Sequence, residues 1–250
     1  MESEDDNRLP PGVETAWGLR KRPAKGPKPA LTLPRIVQAA VGVAADEGIT
    51  AVSMSRVAAE LGASTMSLYR YVSSKDELLT LMQDSAIGHP PPMPPGVGWR
   101  EGLAHWAWSM IRVLRLNPWL LRVPVAGPPA TPNNVAWMEQ ALRCLTGTSI
   151  AEPDKVSVVL LVTIYIRGQA TLNADLEVAW QGKQDDTYEG ALNGYSALLR
   201  KVTDRRDFPA LHAVIDSGAF EATDSADEDF IWGLDRLLDG VERLLRDDQE

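Results

Sequence analysis

Residues 54–79 read MSRVAAELGASTMSLYRYVSSKDELL. A helical pattern on Val57, Ala58 and Leu61 stops at Gly62 and restarts almost at once. Glycine takes the left-handed backbone at a helix end without steric cost, and Ser64 is a residue type that caps the next helix. Two short helices at 53–61 and 64–72, joined by so tight a turn, make a helix-turn-helix. Ala58 is small where the helices approach, and Leu61 and Leu68 face inward. That leaves Thr65, Met66, Ser67, Arg70 and Tyr71 outward. A helix fits the major groove of double-stranded DNA; hydroxyls and a guanidinium suit phosphates and base edges, and Met66 can touch a thymine methyl.

The flanks continue the pattern. Thr32 caps a helix with Pro34 in its first turn; Ile36, Val37, Ala40, Val43 and Ala44 form its apolar face, and Gly48 stops it. SKDE at 74–77 matches the S-x-x-E capping box and opens a helix running to about 88, with Lys75 as a further phosphate site. Residues 89–98, HPPPMPPGVG, hold five prolines and end any helix, so a domain boundary is expected there. Helical patterns resume at 99–116, 134–145, 153–179, 188–202 and 227–245, with loops at 181–186 and 218–225. Strand-like alternation is scarce. The expected class is all-α: a flexible basic arm at 1–30, a three-helix DNA-binding domain at 31–88, and a helical ligand-binding and dimerisation domain at 97–250.

Net charge is −9, which alone argues against nucleic acid, but the charge is unevenly distributed. From 15 to 45 the basic residues are Arg20, Lys21, Arg22, Lys25, Lys28 and Arg35, with no acid. The stretch 203–250 holds 14 acidic and 5 basic residues. The prolines among the early basic residues keep that segment extended, so Arg20, Arg22, Lys25 and Lys28 are candidates for an arm along DNA, each phosphate neutralised adding affinity through counterion release. Cys144 is alone, which excludes an intrachain disulfide and fits a reducing cytoplasm. The acidic N-terminus is unlike a secretory signal, and no uninterrupted apolar run is as long as a membrane span. A cytoplasmic protein with no membrane partner is expected. There is no G-x-S-x-G, H-E-x-x-H or phosphate-binding glycine loop, so an enzyme is not expected.

Residues 35–82 resemble the N-terminal domain of the tetracycline-repressor family across its full length. The LG-x-S-x-x-x-LYRYV-x-x-KDELL portion, with its aromatic pair, valine and Lys before an acidic-Leu-Leu helix, is the most specific part. More weakly, GWREGLAHWAWSM, WMEQALRCL and DFIWGLDRLLDGVERLL look like that family's ligand-binding domain. The resemblance implies DNA contacts at Thr65, Met66, Ser67, Tyr69, Arg70 and Tyr71, with Lys75 on the backbone and Ser55 and Arg56 at the start of the preceding helix. It also implies a twofold dimer. The 153–179 helix, apolar nearly all round in its first half, and the wide apolar stripe of the last helix suit a four-helix bundle between two copies.

The other side of 156–171 is expected to face a pocket. Trp106, Met110 and Trp137 are candidates for its apolar wall, and Thr163, Arg167, Gln169 and Asn173 for polar contacts with a bulky hydrophobic or aromatic effector. The tetracycline repressors proper hold a magnesium–drug chelate, with a histidine in the segment that here reads RVPVAGPPAT (122–131). This chain has no histidine or carboxylate there, and no metal or other cofactor is expected. The expected function is a ligand-released homodimeric repressor on a palindromic operator. A ligand-responsive activator, or a DNA-binding protein without effector, remains compatible with the same residues.

Overall fold

The computed structural model describes residues 9–20, 31–125, 127–180, 188–220 and 226–247. Among them every regular element is helical. The chain forms two compact units, Met1–Arg167 and Gly168–Glu250.

In the first unit, α1 (Pro11–Ala16) precedes α2 (Leu33–Glu47), α3 (Met54–Glu60), α4 (Thr65–Tyr69) and α5 (Lys75–Ile87). Each of α2 to α5 starts where a hydroxyl accepts a free backbone N–H: Thr32 from Arg35, Ser53 from Arg56, Ser64 from Ser67 and Ser74 from Glu77. Such caps are worth about 1 kcal/mol each. The apolar faces then close one core. Ile36, Val37, Ala40, Val43, Val57, Ala58, Leu68, Val72, Leu78 and Met82 are all buried. Gly62 takes φ +61 between α3 and α4, the left-handed conformation the turn needs. α4 is shorter than the expected 64–72. Its last residues turn back instead, with the N–H groups of both Tyr71 and Val72 donating to the Leu68 carbonyl, so that Val72 drops into the core.

The flexible-arm expectation fails for residues 9–20. Pro11 starts α1, which lies across α5. The approach is close enough that a Cβ on Gly12 would lie 2.7 Å from the Thr80 side chain. Arg22, Lys25 and Lys28 lie outside the described residues.

The unit continues with α6 (Trp99–Leu116), a 3-10 turn (Pro118–Arg122), α7 (Pro132–Cys144) and the first part of α8 (Glu152–Trp180). Hydrogen bonds within this unit cross residues 89–98. The end of α5 is bound to α7: the Asn133 backbone N–H donates to Asp84 Oδ1 at 2.9 Å, its side-chain amide to the Asp84 carbonyl at 2.9 Å, and Trp137 Nε1 to the Gly88 carbonyl at 2.9 Å.

α8 holds Val158, Val159, Val162 and Ile166 buried, while Val156, Leu160 and Ile164 are each more than half exposed. As a folded helix it is long and apolar enough to cross a membrane, at mean hydropathy 1.3 over a window within Glu152–Ala179. The sequence had shown no uninterrupted apolar run of that length, because Lys155 and Arg167 break it.

The second unit contains the rest of α8, then α9 (Tyr188–Val202), α10 (Pro209–Asp216) and α11 (Ala226–Asp247). α10 was not expected; it starts on Pro209 and is tied to α9 by Arg200, which reaches Asp216 at 2.8 Å and the Ile215 carbonyl at 3.0 Å. The expected loop at 181–186 lies outside the described residues, as does most of that at 218–225. α11 buries Phe230, Leu234, Leu238 and Val241 and leaves Ile231 and Trp232 exposed.

Candidate nucleic-acid interface

α4 is held by a single buried rivet, Leu68, and by Val72 beyond its end. The remaining side chains are turned outward to different degrees. Met66 is 75% and Tyr69 46% exposed, Arg70 is exposed, and Thr65, Ser67 and Tyr71 are half-buried. Tyr69 thus combines an exposed face with partial packing. Ser64 and Ser67 share a hydroxyl hydrogen bond at 2.8 Å, which ties the Ser67 side chain to the cap of its own helix. Lys75, at the start of α5, and Ser55, at the start of α3, are exposed. The structure therefore brings Ser55, Thr65, Met66, Ser67, Tyr69, Arg70, Tyr71 and Lys75 into one helix-turn-helix and its flank.

Arg56 sits differently. Its guanidinium is shared between Glu47, at 2.6 Å, and Glu60, at 2.8 Å. The hydrogen bond from Arg56 holds the Glu47 carboxyl below its usual pKa, and the same two bonds raise the arginine's own. In the free protein this candidate phosphate contact is already occupied by carboxylates. Arg20 is likewise paired, to Glu77 Oε1 at 3.1 Å. The bonds to Glu47 and Glu77 were not legible in the sequence, because those residues lie 9 and 57 residues away, whereas Glu60 stands at the ordinary four-residue helix spacing.

Glu77 is the buried charge of this region, 2% exposed. It accepts from the Thr15 hydroxyl at 2.6 Å, the Ser73 backbone N–H at 2.7 Å, the Ser73 hydroxyl and Arg20. Burial pushes the carboxyl up, but the bonds from Ser73 and Thr15 and the Arg20 charge outweigh it, and its pKa lies below the ordinary 4.5. The capping-box pattern foretold only part of this: Ser74 caps α5, while Glu77 reaches back to Ser73.

The seven candidate effector residues fall on α6, α7 and α8, with Asn173 half-buried on the last. Trp106 and Trp137 are core: each is 2% exposed, their rings meet edge to face at 6.2 Å, and Trp106 Nε1 donates to the Trp137 carbonyl at 2.9 Å. Met110, four residues after Trp106 on α6, is buried as well. On α8, the Thr163 hydroxyl donates to the Val159 carbonyl at 2.7 Å, Arg167 is half-buried with burial lowering its pKa, and Gln169 is half-buried. None of these seven lines a cavity of about 750 Å³ bounded by His89, Met93, Trp99, Gln140, Arg143 and Thr148. Two further polar groups are His105 Nε2 on α6 and Trp119 Nε1 in the following turn. Both are buried with no hydrogen-bond partner among the described residues. An isolated histidine and a tryptophan carry no sequence signal for that; their burial does.

Comparison with known proteins agrees with this geometry. Residues 36–82 match the model for bacterial regulatory proteins of the tetR family, and residues 91–245 the tetracyclin repressor-like C-terminal domain. The chain is 36% identical to the HTH-type transcriptional repressor DrrR1 of Streptomyces coeruleorubidus, over 93% of this chain and 85% of that protein. An HTH-type transcriptional regulator of Saccharopolyspora erythraea is 30% identical over 80% of this chain and 81% of that protein. The Streptomyces coelicolor TetR family protein ActR, solved in complex with actinorhodin, superposes with a TM-score of 0.69 and 27% identity, over 85% of this chain and 97% of ActR. With its helix-turn-helix and both halves matched, the chain belongs to the tetracycline-repressor family of bacterial transcriptional regulators.

Proposed function

We propose that this chain is a homodimeric repressor that reads a palindromic DNA site through α4 and leaves it when a bulky hydrophobic or aromatic molecule binds within residues 97–250. The observation that carries the DNA reading is the outward face of α4, with Met66, Tyr69 and Arg70 presented beyond a core-anchored Leu68. Thr65, Met66, Ser67 and Arg70 meet base edges, while Tyr69, Tyr71, Ser55 and Lys75 meet phosphates. Residues 31–88 supply the reader and 97–250 the pairing and effector functions, in the cytoplasm.

Pairing follows from the exposed stripe of α8. Val156, Leu160 and Ile164 are one helical turn apart and face water in the single chain. A second copy covers them and sets two copies of α4 on one face of the duplex. The effector reading is supported by ActR's ligand complexes and by the partnerless polar atoms of His105 and Trp119, which a ligand can satisfy. A ligand releases DNA only as far as it binds the DNA-incompetent state more tightly.

The test is selection of bound duplexes from a random pool by the full-length protein. A palindrome with half-sites about one helical turn apart is expected. Enrichment of an asymmetric sequence, or of none, overturns the proposal. Arg56 gives a second expected result. It can reach phosphate only by leaving Glu47 and Glu60. The double substitution Glu47→Gln, Glu60→Gln is therefore expected to tighten binding to unrelated duplex and to steepen log K against log salt by about 0.9, one phosphate's worth. An unchanged slope in a salt titration would mean that Arg56 stays away from DNA.

A further inference from the structure

The N-terminal segment 9–20 makes three attachments that the DNA-reading function as described so far does not use. Gly12 lets α1 lie against Thr80 of α5. Thr15 and Arg20 bind the buried Glu77 carboxylate. Trp17 Nε1 donates to the Ala130 carbonyl, just before α7, at 2.7 Å. Glu77 in turn holds both the backbone N–H and the hydroxyl of Ser73, in the short link between the end of α4 and the start of α5.

A buried carboxylate is tolerated only when its oxygens are filled by donors. Here the donors come from two directions, the N-terminal segment on one side and the exit of the reading helix on the other. The carboxylate is therefore a joint rather than a cap. It fixes where Ser73 lies relative to α5. Because α4 is only Thr65–Tyr69 with a single buried rivet, its aim depends on where its exit is fixed.

We propose that Glu77 is a positioning residue for DNA reading, and that Thr15 and Arg20 clamp it, making residues 9–20 part of the reading unit. Arg20 is then an internal ion pair and not a phosphate contact. The inference rests on the DNA-reading function proposed above. It differs from an arm that lies along DNA, because Arg20 acts through Glu77 and Ser73 and contributes no counterion release of its own.

The test uses the full-length chain with Thr15→Val, Thr15→Ser, Arg20→Ala and Arg20→Lys. Affinity for the duplex selected by the unsubstituted protein is measured across a salt series, and amide hydrogen exchange is followed through residues 65–73 without DNA. Thr15→Val and Arg20→Ala are expected to weaken binding by roughly 2- to 30-fold, the range of indirect couplings through packed networks. The salt slope stays unchanged, the Ser73 amide exchanges faster, and Thr15→Ser and Arg20→Lys recover most of the loss. A slope lower by about 0.9 in Arg20→Ala would make Arg20 a phosphate contact and overturn the proposal. So would unchanged affinity accompanied only by a lower melting temperature, which marks a merely structural role. If the unsubstituted chain selects no duplex, the DNA reading itself falls, and the exchange of Ser73 still decides whether Thr15 and Arg20 hold it.

Discussion

Replacing Leu160 and Ile164 together by glutamate is expected to leave the chain monomeric and to weaken operator binding by about 10²–10⁴-fold. The two side chains are 56% and 59% exposed in the single chain and lie one turn apart on α8. Burying an aliphatic side chain of this size contributes about 1.5–3 kcal/mol. In a twofold interface each position is used twice, so the stripe is counted on both subunits. Glutamates there remove that gain and set like charges against each other across the axis. The loss of affinity follows from linkage: once one reading helix is docked, the second binds as an intramolecular event, and separating the subunits forfeits that enhancement. Sedimentation gives the mass and fluorescence anisotropy the affinity. A dimer of unaltered affinity would sink the assignment of α8 to the interface. Leu68 and the rest of the reader are untouched by these substitutions, so the monomer should retain its helix content.

Trp137→Ala is expected to lower stability by about 3–5 kcal/mol, the usual cost of emptying a large buried aromatic site. For a chain of this size that is a fall of roughly 6–20 °C in melting temperature. The ring is 2% exposed, it meets Trp106 edge to face, and its N–H satisfies the Gly88 carbonyl where α5 ends. The substitution therefore empties a core position and also loosens the attachment of α5 to α7. A Trp that merely walled an effector pocket would behave in the opposite way, with little change in melting temperature and a large loss of ligand binding. Thermal unfolding followed by circular dichroism separates the two outcomes.

Residues whose partners lie within one helical turn were readable from the chain. The caps at Thr32, Ser53, Ser64 and Ser74 each bond a backbone N–H three residues on, so residue type and spacing were enough. Gly62 is similar, because the left-handed conformation is a property of that residue's own backbone. The outward set on α4 followed from helical periodicity around Leu68. These local rules placed the helix-turn-helix and the all-α class, and the LYRYV-x-x-KDELL pattern added the family.

Pairings across the chain were beyond such rules. Charge density over 15–45 marked Arg20 as available for DNA, yet the folded chain gives it to a carboxylate 57 residues on. Apolar character marked Trp106 and Trp137 as wall or core alike, and only the packing of α6 against α7 made them core. The prolines at 89–98 end a helix, and nothing in their spacing showed that Asp84 and Gly88 bind Asn133 and Trp137 beyond them.

The sequence by itself determined most of the helices, the capped starts of α2 to α5 and the outward face of α4, because these depend on hydrogen bonds and periodicity inside one or two turns. Tertiary structure alone decided which charges are free, which tryptophans are buried and where the N-terminal segment lies. Those outcomes are set by desolvation and by partners tens of residues away, and neither is encoded in local spacing.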